Sequence, residues 1–87
     1  MILYHGTNNN SIMQTGIKVG LWLAKHKFHA FRIAERRVKQ RGGESLVFEI
    51  ETDSFDRVEG RDNPTYLYTG GDYKIKALHK MAREILI

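Results

Sequence analysis

Two short apolar runs, each set beside a glycine, constrain this chain more than anything else in it. Met1 to His5 is apolar up to its last residue and is broken by Gly6, Thr7 and three asparagines. That pattern reads as a strand ending in a polar turn. Gly20-Leu21-Trp22-Leu23-Ala24 repeats the arrangement, with the sole tryptophan inside the run and polar Lys25 and His26 after it. The first run puts a histidine at a strand end, next to a glycine where backbone can approach a ligand closely. If the two strands pair, His5 and Trp22 line one cleft, one hydrogen-bonding and the other stacking.

At 87 residues the chain has room for a single domain, 1–87. A domain of this size buries only roughly 60–65% of its unfolded surface, so the core is small. There is no cysteine, which removes disulfides and thiolate metal sites. No apolar run approaches the ~20 residues of a membrane span, and the N-terminus lacks a signal-peptide layout. The expectation is a cytoplasmic protein without a membrane.

Along the chain, Asn8 to Thr15 suits a short helix, with one of the asparagines as N-cap, Gly16 as stop, and Ile12 and Met13 as core contacts. Ile17 to Ala24 reads as a strand with Gly20 as a bulge or close-approach point. Lys27 to Gln40 is the clearest helix. Ala30, Phe31, Ala34 and Val38 fall on one stripe and Arg32, Arg36 and Lys39 on another. Gly42-Gly43 ends it. Ser45 to Thr52 alternates, with Leu46, Phe48 and Ile50 on one side and Val47, Glu49 and Glu51 on the other. Asp53 to Pro64 reads as a loop, Tyr66 to Tyr68 as a short strand and Gly70-Gly71 as a tight turn. Tyr73 to Lys76 suits a strand, Ala77 to Arg83 a helical turn, and Glu84 to Ile87 a final strand. The sum is an α+β fold: a small split antiparallel or mixed sheet with one main helix.

Charge is uneven. The net charge is +4, yet Lys25 to Arg41 alone holds seven cations against one acid, Glu35. Such a field suits phosphates or an acidic protein surface, and it also suits an ordinary solvated helix face. His26 and His29 lie three apart on the helix with no evident third ligand, so no metal site is expected.

Tyr4-His5-Gly6-Thr7, then Gly16-Ile17, then Gly20-Leu21-Trp22-Leu23-Ala24 with Ala30 and Ile33-Ala34, resembles the ADP-ribosyltransferase fold over Leu3 to Ala34. The likeness is to the His-Tyr-Glu branch of diphtheria-type toxins and poly(ADP-ribose) polymerases. The resemblance implies NAD as co-substrate. It implies that His5 hydrogen-bonds the adenosine ribose, that Gly6 offers backbone to the nicotinamide carboxamide, and that Thr7 adds a hydroxyl. Trp22 stands where the family has a tyrosine stacked on nicotinamide, and an indole can stack on the same ring. Gly71-Asp72-Tyr73 sits about where the family shows Asn-Glu-Tyr, making Asp72 a shortened candidate for the catalytic glutamate. Glu49-Ile50-Glu51 is the competing match, to the Glu-x-Glu of arginine-specific members. Arg32, Arg36 and Lys39, with Arg37 nearby, are candidates for the NAD pyrophosphate or for a nucleic acid.

Three functions follow as expectations. The first is an NAD-dependent ADP-ribosyltransferase acting on a protein or nucleic acid. The second is a catalytically inactive binder that keeps the fold and blocks a nucleic-acid-processing complex, in the manner of a phage anti-CRISPR protein. The third is an RNA 2′-phosphotransferase, which the basic helix suits although that family's separate N-terminal domain is missing.

Overall fold

The structure, a computed structural model, describes residues 1–58 and 65–80. Among the described residues eight elements follow in chain order: β1 Ile2–Thr7, α1 Ile12–Thr15, β2 Trp22–Ala24, α2 Lys27–Arg41, β3 Leu46–Thr52, β4 Phe55–Val58, β5 Thr65–Tyr68 and β6 Tyr73–Lys80. The strands form one sheet in the order β4-β5-β2-β1-β3-β6. Among the described residues every neighbouring pair is antiparallel, so the architecture is α+β with one main helix and a single antiparallel sheet, not the split or mixed one expected.

The sheet is unevenly joined. β1 and β3 pair along six residues from Ile2–Glu51 to Thr7–Leu46. β1 and β2 pair only at Tyr4–Ala24.

Strand alternation divides the apolar side chains between two faces. Leu3, Leu23, Phe48, Ile50, Tyr66 and Tyr68 form the larger cluster, closed by Ile12 of α1 and by Ile17. Ala24, Ala30 and Val47 form the smaller one under α2, with Tyr4, Trp22 and Phe31 packed against it. β3 sits beneath both, which is why Val47, Phe48 and Ile50 are all fully buried.

Several elements depart from the sequence reading. The Asp53–Pro64 stretch, expected as a loop, contains the edge strand β4, paired from Phe55–Tyr68 to Val58–Thr65; residues 59–64 lie outside the described ones. The strand expected over Ile17–Ala24 shrinks to three residues, because the chain turns at Gly20 (φ 89°) and Leu21 N–H donates back to Lys18. Ala77 to Lys80 continues β6 rather than turning helical: β3 supplies a ladder there, and a bulge at Glu49/Ile50 absorbs the register shift. The expected strand Glu84–Ile87 lies outside the described residues. α1 is a single turn whose N-cap is Ser11 rather than an asparagine, and Met13 is 59% exposed rather than in the core.

Candidate functional site

His5 sits where the β1–β2 ladder stops. One residue past the Tyr4–Ala24 pair, its Nδ1–H donates to the Trp22 carbonyl at 2.7 Å. A carbonyl oxygen can only accept, so the proton lies on Nδ1 and the Nε2 lone pair is left as an acceptor. Burial lowers the His5 pKa, the bond to Trp22 acts in the opposite sense, and the Arg37 guanidinium lowers it again. The ring is therefore neutral at pH 7, and it is only 5% exposed.

The rest of the expected cleft is distributed differently. His5 pairs with Phe48 and points to the larger cluster. Trp22 has the same sidedness as Ala24 and Tyr4, so its indole goes to the α2 face. There it meets the His29 ring edge-on, with centroids 5.3 Å apart at 87°. The two residues touch through ring nitrogen and carbonyl, while their rings leave opposite faces of the sheet. Gly6 is explained by packing: a Cβ on it would lie 1.9 Å from the Ala30 carbonyl oxygen and 3.1 Å from Ala34 N. The open backbone at Gly6 is thus covered by α2. Thr7 is buried at the end of β1, opposite Leu46.

Asp72 lies elsewhere. It follows the Gly70-Gly71 turn, exposed, and its carbonyl accepts a hydrogen bond from Thr52 Oγ1 at 2.6 Å. Its neighbour Tyr73 pairs with Thr52, whereas His5 pairs with Phe48 and Phe48 with Leu78. Six residues along the chain from Leu78 and two strands across put Asp72 about 20 Å from His5. Asp72 instead borders an open groove of about 780 Å³ with Met1, Glu51, Asp53, Phe55 and Lys74. The Met1 ammonium pairs with Asp53 there at 3.0 Å. Of the Glu-x-Glu pair, Glu49 accepts from His79 Nε2 at 3.0 Å. His79 was not a candidate in the sequence, since only the Val47–His79 register brings it near.

The cations of α2 are partly assembled. Arg32, Arg36 and Lys39 are exposed and, with Glu35, border a hollow of about 220 Å³ on the helix surface. The three cations fall within about 60° of the helix circumference. Phe28 shares that stripe and is 73% exposed. Arg37 does not share it: it is half-buried on the side facing the sheet, where it acts on His5. Arg32, offered for a cofactor, points away from the β1–β2 parting. Among the described residues the ion pairs are Met1–Asp53, His79–Glu49 and Lys80–Glu44, none of them on α2. Burial lowers the His29 pKa, helped by Arg32, His26 and Arg36, and its Nδ1 has no hydrogen-bond partner among the described residues.

Among the described residues no group of three or more His, Cys, Asp or Glu is placed to hold a metal ion, and no helix is long and apolar enough to cross a membrane. No family model, curated protein or solved structure matches the chain. Function therefore rests on the site itself.

The fit to NAD is poor as the resemblance would have it. His5 is occluded, Gly6 is covered by α2, the Trp22 indole is engaged by His29, and Asp72 is remote. Those residues do not form one cradle. The feature that is assembled and open is the outer stripe of α2.

Proposed function

We propose that the chain is a non-catalytic binding protein that uses an ADP-ribosyltransferase-like scaffold and engages polyanions through α2. The carrying observation is the contrast in assembly. Arg32, Arg36 and Lys39 share one exposed hollow, unpaired among the described residues, while the candidate catalytic groups lie on different faces and ends of the sheet. The scaffold reading draws on the Tyr4-His5-Gly6-Thr7 strand and its short join to β2, although the six strands form one sheet rather than the split one the resemblance implies. Guanidinium forks match phosphate oxygens two at a time, so Arg32 and Arg36 suit a phosphate-rich partner. A surface of this kind would let a small basic protein occupy the nucleic-acid path of a larger machine. Heparin and oligonucleotide retention at rising salt tests the reading, and elution of wild type and Arg32→Gln/Arg36→Gln/Lys39→Gln at the same salt refutes it.

A second reading, the NAD-dependent transferase, is favoured by one observation: His5 is neutral, its tautomer is set by Trp22, and Nε2 remains an acceptor suited to a ribose hydroxyl. Calorimetric titration with NAD, beside a nicotinamide-release assay, decides between the two. The transferase reading requires binding that His5→Ala abolishes, and activity that Trp22→Tyr preserves or raises. The binding-protein reading requires neither binding nor release.

A further inference from the structure

α2 presents more than charge. Phe28, Arg32, Arg36 and Lys39 occupy positions separated by four, four and three residues, which places all four on one stripe opposite the buried Ala30 and Ala34. The stripe runs about 16 Å along the helix. Phe28 at its head is 73% exposed, belongs to neither apolar cluster and adds nothing to the core. Among the described residues it is the most exposed aromatic, ahead of Tyr73 at 37%, and it stands at the end of a cation row.

We infer that this stripe binds single-stranded nucleic acid, with Phe28 stacking on a base and Arg32, Arg36 and Lys39 on the phosphates beside it. The inference rests on the polyanion-binding reading above and names its ligand. Single-strand binders combine a positively charged track with aromatic platforms, because every base offers a π-face whatever its identity. A duplex keeps its bases stacked on each other, so an exposed phenyl ring gains nothing from it. An acidic protein surface is the weaker match. Protein interfaces centre on a desolvated apolar or aromatic core with a polar rim, whereas here the single ring lies at the end of the row.

The test is fluorescence anisotropy with a short labelled oligonucleotide, single-stranded and as its duplex, across a salt series. Polyglutamate serves as an acidic competitor. Phe28→Ala is expected to weaken single-strand binding roughly five- to hundredfold and to leave the salt slope unchanged. Because Phe28 is exposed, the variant should fold as wild type. Arg32→Gln/Arg36→Gln/Lys39→Gln is expected to lower the slope by about 2, the loss of three phosphate contacts to a single strand. Lys74→Gln/Lys76→Gln/Lys80→Gln removes equal charge from β6 and should leave the slope alone. Equal weakening by the β6 variant would assign the binding to net charge and overturn the inference. So would duplex preference, competition by polyglutamate at equal charge, or an inert Phe28→Ala; in these last three cases polyanion binding itself would stand. Absence of any binding would remove both.

Discussion

The two faces of α2 obey different rules. On the inner face every residue is set by space. Ala30 and Ala34 are fully buried and pass so close to β1 that only glycine fits at position 6. Arg37, half-buried on this side, sits close enough to His5 to help keep it neutral. On the outer face nothing is set by space. Phe28, Arg32, Arg36 and Lys39 are exposed, and no packing demand accounts for their identities. Lys39, with Arg41, does have a structural use, since both lie in the last turn where cations favour the helix dipole. Arg32 and Arg36 in mid-helix have none. The contrast locates the scaffold on the inner face and the freedom to evolve a ligand on the outer one.

The hardest blow to the inner face should come from Gly6→Ala. The added methyl meets a backbone carbonyl at 1.9 Å, which no rotamer change relieves. Overpacking of a core commonly costs about 1–3 kcal/mol, and this site belongs at or beyond the top of that range. For a domain of this size each kcal/mol shifts Tm by about 4–8 °C, so thermal melting should show a drop above 10 °C or no folded protein. An unchanged Tm would mean that α2 does not press on β1, and the contrast between the faces would lose its basis.

His5→Ala comes next, at about 2–4 kcal/mol. It strips the partner from the Trp22 carbonyl and leaves a cavity beside Phe48. Because the imidazole bridges strands that otherwise share one pair, the loss should appear first as faster amide exchange in β2. Exchange rates in β2 equal to wild type would show that the parting is held by something else.

A smaller effect is the pH dependence that His5 confers. Its folded pKa is lowered from 6.5, so above 6.5 the neutral ring is present in both states and its full contribution is felt. As pH falls from 6.5 toward the lowered value, the unfolded chain takes up the proton first, and stability declines. Urea midpoints from about pH 5 to about pH 8 should therefore rise with pH, more steeply in wild type than in His5→Gln. Parallel curves would place the titration elsewhere, His29 being the next candidate.

How much of this was legible in the sequence depends on how far apart the partners are. The α2 stripe and the alternation of β3 declare themselves within a dozen residues, and both are as the periodicity predicts. β4 does not declare itself. Phe55-Asp56-Arg57-Val58 has no alternation to read and becomes a strand because β5 offers an edge. Ala77 to Lys80 has residues that suit a helix, but the β3 ladder overrides that preference. The sidedness of Trp22 was equally hidden, since it turns on the single Tyr4–Ala24 pair. Phe28 was visible but unremarkable until its exposure was known.

Asp72 carries the smallest expected effect and the sharpest consequence. Its proximity to Tyr73 gave it the look of a catalytic carboxylate, yet it lies about 20 Å from His5 across the sheet. The Thr52 hydroxyl bonds its backbone carbonyl rather than its side chain, so Asp72→Ala keeps that bond. As an exposed turn residue it should change stability by no more than about 0.5 kcal/mol. Oligonucleotide binding at α2 should also be unaffected, because the groove that Asp72 borders is at the other end of the β6 ladder from the His5 level. If wild type released nicotinamide from NAD and Asp72→Ala did not, the carboxylate would have to act at a site distinct from His5. The groove with Met1, Glu51 and Lys74 would then replace α2 as the working surface, and the contrast between the two faces of the helix would be incidental.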